Sequence, residues 1–476
     1  MVSWLLPHRA RNGVIACFSL VFYAIGGKQF VLLLLALMVL NYTAGLWIGR
    51  LKAQPSGTRI PTRSGWTLRP ARAKDVMVAT VAVDLLVLGI WKYTGFATSA
   101  IDSFTSAFGL GDTKVVSLAL PIGISFFTFH HLSYVIDVHR GLRPPMRNPL
   151  TFATYIAMFP QLIAGPIVRY HEIADQLREQ RHNKLADFAE GFPRFAWGLF
   201  KKVVIADTLA PMADAAFATP DPSTLTAWIG ALAYTGQIYF DFSGYSDMAI
   251  GLGNMFGLRL PENFNRPYSA VSVTDFWRRW HMSLSRWFRD YLYVPLGGNR
   301  GGTVKTYRNL VIVFLLTGLW HGAAWTFVVW GCYHGAWLII ERSTGLAKST
   351  RLVVPRRAIT FVIVIIGWVV FRSGSLPEAG RMLSAMLTPH FVDGGPLAVA
   401  PDLDLLLTPY RIALICLVCA SALLPGGWVT GKVINGLDGT AGWARTTARS
   451  VVTVLAPYAA MVAVAGTFSP FLYFKF

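Results

Sequence analysis

Apolar runs long enough to cross or nearly cross a bilayer recur along almost the whole chain, at roughly 13–26, 30–49, 76–91, 115–137, 188–205, 226–256, 309–333, 358–371, 411–425 and 450–467. A bilayer core about 30 Å thick takes about 20 helical residues to span, and inside it every backbone amide must find its partner within the protein. Only 14% of the 476 residues are charged against 54% hydrophobic, with a mean hydropathy of +0.47, too little polarity to dissolve a globular unit. No polar block long enough for a separate domain interrupts the runs. The expectation is an all-α polytopic membrane protein, a single embedded domain over 1–476 with about ten or eleven segments.

The net charge of +19 would suggest nucleic acid in a soluble protein. Here the cations collect in the short segments between apolar runs, the distribution expected of cytoplasmic loops and not of a nucleic-acid surface. Arg50, Lys52, Arg59, Arg63, Arg69, Arg72 and Lys74 form one such loop; Arg140, Arg143 and Arg147 form a second, and Arg342, Lys348, Arg351, Arg356 and Arg357 a third. Between the first two lie the runs 76–91 and 115–137, an even number of crossings that returns the chain to the same side. The N-terminus carries no small-residue cleavage pattern of a secretory signal. Pro7 to Asn12 is expected on the cytoplasmic side, with a turn at 27–29. Cys17, Cys332, Cys416 and Cys419 sit in or beside apolar runs without zinc-site spacing and read as packing residues, so no metal is expected.

Several runs are interrupted. Phe159-Pro160-Gln161-Leu162-Ile163-Ala164-Gly165-Pro166 breaks an apolar stretch, which at membrane depth is tolerated only where backbone is buried in protein or lines a cavity. Segment 257–302 is the least membrane-like. Read as a helix, it places Trp277, Trp280, Leu284, Trp287 and Tyr291 on one face, beside a stripe of Arg278, Met282, Arg286 and Arg289. An interfacial amphipathic helix with snorkelling arginines accounts for that pattern, but not for His281 or the Pro295-Leu296-Gly297-Gly298 break.

His321 falls near the midpoint of the run 309–333, where an ionisable group is costly and usually faces an interior cavity. A neutral histidine hydrogen-bonded between helices is the plainer reading. Tyr333 and His334 lie near the end of the same run and are candidates to border the same cavity. His130 and His131 point about 100° apart on a helix and so cannot address one site together; packing or substrate lining fits them. Asp241 and Asp247, also at apparent membrane depth, are expected to pair with arginines of 278–289 or to hold a histidine tautomer. No Gly-x-Ser-x-Gly elbow and no phosphate-binding loop is present, which argues against a serine hydrolase or an ATP-driven pump. No obvious internal repeat of the transporter kind is visible.

Five strings together resemble the membrane-bound O-acyltransferase family, in its alginate O-acetyltransferase branch. They are Pro121-Ile-Gly-Ile-Ser-Phe-Phe-Thr-Phe129, Phe159-Pro-Gln-Leu-Ile-Ala-Gly-Pro-Ile-Val-Arg169, Asp241-Phe-Ser-Gly-Tyr-Ser-Asp247, Asp275-Phe-Trp-Arg-Arg-Trp-His281 and Gly318-Leu-Trp-His-Gly322. The resemblance runs from about residue 11 to the terminal Pro470-Phe-Leu-Tyr-Phe-Lys-Phe476. It implies a helical fold with re-entrant helices and a central funnel, in which His321 is catalytic and His281 is a second functional position. The family normally carries a full apolar helix before the segment matching Pro7 to Asn12; only Met1 to Leu6 precede it here, so either the sequence starts late or that helix is absent.

The resemblance further implies a multi-pass enzyme of the bacterial inner membrane. It would move an acyl group, acetyl by expectation, from a cytoplasmic thioester toward an extracytoplasmic polysaccharide. The donor would be acetyl-CoA or an acyl carrier protein, with no bound cofactor, and the partners would be membrane lipids, the polysaccharide and a separate extracytoplasmic acyltransferase or esterase-like protein. Expected roles follow. His321 is the general base on an acceptor hydroxyl, and His281 orients the donor or polarises its carbonyl. Arg278, Arg279 and Arg286 attract the donor's phosphate or carrier, and Trp280, Trp320 and Asp241 line the substrate. The competing readings are transfer to a lipid, a small metabolite or a protein, and a non-enzymatic translocator or scaffold.

Overall fold

The computed structural model describes residues 8–53, 72–111, 113–179, 184–346, 352–390, 395–423, 442–466 and 471. Arg59, Arg63 and Arg69 of the first basic loop, Lys348 and Arg351 of the third, and most of the terminal string 470–476 lie outside them. Among the described residues the elements are helices, and the chain divides into two compact units, Met1–Ala189 with Gly253–Pro261 and Glu190–Leu252 with Glu262–Phe476.

The first unit opens with α1 (His8–Gly27) and α2 (Phe30–Ala53), joined by a turn at Lys28 and Gln29 as the apolar pattern predicts. Next come α3 (Ala73–Ala107), α4 (Ile124–Arg140), α5 (Pro149–Ala157), α6 (Phe159–Leu162) and α7 (Tyr170–Arg178). The run expected over 115–137 is helical only from Ile124; the residues before Pro121 form no regular element and are mostly exposed. The proline-broken stretch after Phe159 is buried, α6 lasting one turn before irregular backbone leads to α7. That is the setting in which a bilayer protein tolerates a broken helix.

Beyond these lie α8 (Lys184–Phe200), a π-helical turn (Lys201–Ala206), α9 (Asp207–Ala218), α10 (Thr224–Met255), α11 (Val273–Trp277), α12 (Met282–Phe288) and a second π-helical turn (Arg289–Tyr293). The chain continues through α13 (Thr303–His321), α14 (Trp325–Thr344), α15 (Val353–Arg372), α16 (Leu376–Leu387), α17 (Pro401–Asp404), α18 (Pro409–Leu423) and α19 (Gly442–Ala465).

Among the described residues, Ala10–Gly27, Phe30–Ala53 and Val353–Arg372 are helices long and apolar enough to cross a membrane. Large apolar side chains such as Ile25, Leu32 and Val39 are exposed on these helices, which suits contact with lipid tails and not with water. Cys17, Cys332 and Cys416 are likewise exposed, so these three free thiols do not pack in the core as expected; a small apolar thiol tolerates such a face as well as a buried one.

Two helix breaks correct the sequence reading. The run 309–333 is a hairpin, α13 turning through Gly322 into α14, so His321 ends a helix and does not sit mid-span. The hairpin closes tightly because Gly318 and Gly331 lack side chains: a Cβ at Gly318 would strike the Phe327 carbonyl oxygen, and one at Gly331 the Phe314 carbonyl oxygen. Segment 273–293 is not one amphipathic helix either. It breaks at His281, which takes left-handed backbone (φ +43°) unusual for a residue with a Cβ. The start of α11 is held by Glu341 on α14, whose carboxylate accepts from Val273 N (2.5 Å), Thr274 N (2.8 Å) and Thr274 Oγ1 (2.7 Å).

Candidate active site

The two helix breaks bring His281 and His321 together. Their rings lie 6.5 Å apart, centre to centre, both buried. Trp330 and Phe371 each meet the His321 ring edge-on at 5.2 Å, and Trp320 meets it at 4.9 Å. Such aromatic contacts contribute about 0.5–1.5 kcal/mol each beyond area burial.

His281 is held by residues from three segments. Its Nδ1 lies 3.1 Å from Asn263 Oδ1, and that oxygen also accepts from Ser283 Oγ (2.8 Å) and Ser283 N (3.3 Å). Asn263 Nδ2 donates to Ser246 Oγ on α10 at 3.0 Å. Nε2 of His281 is buried and meets no hydrogen-bond partner among the described residues, and the ring packs against Phe242 (4.8 Å), Trp320 (5.9 Å) and His321. Lying between α11 and α12, outside the spanning helices, His281 has its imidazole pushed down to about 3 by burial, which disfavours the cation. It is neutral at any physiological pH.

His334 belongs to packing. Trp277 Nε1 donates to its Nδ1 at 3.3 Å, its ring stacks on Phe276, and a Cβ on Gly367 would meet its Nε2 at 2.8 Å. It shares Trp330 with His321, at 5.0 Å from that ring. Trp280 is also core: buried, stacked on Phe276 and 4.8 Å from Trp368. Of the arginines expected to meet a donor, Arg278 is exposed, Arg279 is engaged by Asp275 at 2.9 Å, and Arg286 donates to the Glu262 carbonyl at 3.1 Å.

The carboxylates Asp241 and Asp247 each meet a lysine from the π-helical turn Lys201–Ala206. Asp241 takes Lys202 Nζ at 2.7 Å, and Lys202 also reaches Asp207 Oδ1 at 2.7 Å. Asp247 takes Lys201 Nζ at 2.6 Å and Arg194 at 2.7 Å, with Arg194 extending to Glu262 at 2.7 Å. The π-helical turn explains this: its extra residue per turn lets two consecutive lysines both point at α10. Lys201 and Lys202 stand in the apolar run 188–205, and two cations at that depth call for acidic partners, so that signal was available. Asn263, in Pro261-Glu262-Asn263-Phe264, offered none.

The sequence model of the membrane-bound O-acyltransferase family matches residues 123–375, more than half of the chain and including both histidines. The chain belongs to the membrane-bound O-acyltransferase family. This O-acyltransferase is 49% identical over 386 residues, 81% of its length, to a protein of Azotobacter vinelandii described as a probable alginate O-acetylase, AlgI, covering 74% of that relative. To the protein of the same description in Pseudomonas putida it is 43% identical over 482 residues, 99% of this chain and 96% of the relative. To a peptidoglycan O-acetyltransferase of Helicobacter pylori it is 38% identical, covering 78% of this chain and 72% of the relative.

Proposed function

We propose that this membrane-bound O-acyltransferase takes an acetyl group from a cytoplasmic thioester, acetyl-CoA or an acetylated carrier protein, and passes it toward an extracytoplasmic polysaccharide. It does so as a multi-pass protein of the bacterial inner membrane, with a separate extracytoplasmic acyltransferase completing the transfer. The observation that carries the reading is the buried, aromatic-walled approach of His281 and His321. The alginate and peptidoglycan named in the descriptions of its relatives support the acceptor class.

In the proposed step, His321 takes the proton of an acceptor hydroxyl as the oxygen attacks the thioester carbonyl. The C–S bond then breaks, and the departing thiolate recovers the proton from the imidazolium. The aromatic wall keeps out water that would hydrolyse the thioester. His281 orients the substrate beside that base. In this reading Arg278, the exposed member of the arginine group, attracts the donor's phosphate, and Trp320, in contact with both histidine rings, lines the substrate.

The test is acyl transfer per folded molecule for His321→Ala in membranes that contain the partner protein. Near-abolition supports the assignment. The partner requirement is tested separately: purified chain with acetyl-CoA and polymer alone should give little product, and robust turnover would overturn it.

A further inference from the structure

His281 carries a directional feature that the proposed step does not use. The Asn263 carboxamide can be oriented without appeal to the histidine, because the Ser283 backbone N–H can only donate, so the Asn263 atom facing it at 3.3 Å must be the oxygen. That same oxygen faces His281 Nδ1 at 3.1 Å, so Nδ1 must bear the hydrogen. Nδ2 then faces Ser246 Oγ, which accepts at 3.0 Å. Asn263 is itself pinned through its backbone, its carbonyl accepting from Met282 N at 2.9 Å across the helix break.

We propose that Asn263 is the positioning residue of this site: its carboxamide holds His281 in the Nδ1–H form and leaves Nε2 as a lone pair that accepts from an O–H or N–H of the substrate. The inference rests on the reading that places His281 in the active site. A neutral imidazole with its one hydrogen on Nδ1 cannot donate from Nε2, so His281 does not polarise the thioester carbonyl. Two substrate groups have the right chemistry: the acceptor hydroxyl, and an amide N–H of the donor's pantetheine arm. The titratable ring in contact with His281 is His321; its other described contacts are Phe242, Trp320, Asn263 and, through Asn263, Ser283.

The experiment follows acetyl transfer from acetyl-coenzyme A in membrane vesicles from producing cells, across pH. Asn263→Ala frees the tautomer and should lower kcat at least about tenfold, as loss of a tautomer-fixing partner does elsewhere. A rise in KM for acetyl-coenzyme A identifies the donor N–H as the bonded group; an unchanged KM identifies the acceptor hydroxyl. Asn263→Asp keeps the acceptor oxygen but adds charge that favours the imidazolium, so His281, held near 3 in the wild type, should return toward its ordinary value and carry the acid limb of kcat to higher pH. Ser246→Ala and Ser283→Ala loosen Asn263 without adding charge and should cost stability while leaving that limb in place.

A purely structural Asn263 would not move the limb. Folded Asn263→Ala with wild-type kcat, or Asn263→Asp with an unmoved limb, overturns the proposal. Should the Asn263 variants fail to fold, 15N-histidine spectra decide: the resonances lost in His281→Asn must report a hydrogen on Nδ1, and one on Nε2 overturns it. Folded His281→Ala with full turnover would remove His281 from the site and this inference with it. An inactive His281→Ala beside an unaffected Asn263→Ala would sink only the role of Asn263.

Discussion

Two histidine pairs in this chain share residue type and burial but differ in how the backbone presents them. His130 and His131 are consecutive on α4, fully buried, and meet different rings: His130 contacts Tyr155 at 5.7 Å, and His131 contacts Phe127 at 6.1 Å. No ring nitrogen of either has a hydrogen-bond partner among the described residues. His281 and His321 are distant in sequence, each at a break in helical structure, and their rings come within 6.5 Å, tilted by 59°. Regular helix spreads neighbouring side chains apart. Both members of the second pair stand at the end of a helix.

The largest expected difference is catalytic. His321→Ala should remove the 10²- to 10⁴-fold supplied by a positioned base, about 3–5 kcal/mol of barrier. Retention of more than about a tenth of wild-type turnover per folded molecule would make His321 structural and erase the contrast. Next is the hairpin that presents it. Gly318→Val drives a side chain into the Phe327 carbonyl, and overpacking of this kind costs about 1–3 kcal/mol. Gly89, whose added Cβ would meet nothing within 4 Å, is the control. Thermal unfolding in detergent should separate the two; equal melting temperatures would show that α13 and α14 can part without penalty.

A smaller effect lies in pH. His281 is held near 3 when folded and returns to about 6.5 when unfolded, so the unfolded chain takes up the proton first. Its contribution to stability is therefore present above about 6.5 and lost progressively as pH falls toward about 3. His281→Asn should flatten the dependence of melting temperature on pH between neutrality and about pH 5, and an unchanged slope would mean that the ring is not desolvated. Smallest is the change in turnover for His131→Ala, whose loss should appear as lower folded yield. A catalytic defect rivalling that of His321→Ala would bring His131 into the chemistry.

The spans were legible because a bilayer imposes length and polarity on each one, and α1, α2, α10, α15 and α18 follow their apolar runs closely. What escaped were the interruptions. The Ala323-Ala324 pair after Gly322 is as apolar as the run around it, so hydropathy reads straight through the hairpin. His281 carries no breaker residue of its own, and its left-handed backbone is set by contacts with Asn263 that a linear reading cannot see. The histidines themselves were legible as ionisable groups among apolar residues. The acids Asp241 and Asp247 were found the same way, but their lysine partners were not, because the register of Lys201 and Lys202 depends on the extra residue of a π-helical turn.

Helix α14 touches both halves of the histidine pair. Its Phe327 carbonyl abuts Gly318, its Trp330 meets the His321 ring and also Trp277 at 5.6 Å, and its Glu341 grips the start of α11, which leads to His281. A tilt of α14 would therefore carry the two imidazoles along in concert and not pull them apart, like two fittings bolted to one shaft. The spacing of the pair should be insulated from the thickness of the surrounding bilayer. Turnover in vesicles of shorter or longer acyl chains should then change through substrate access, seen in KM, with kcat nearly constant.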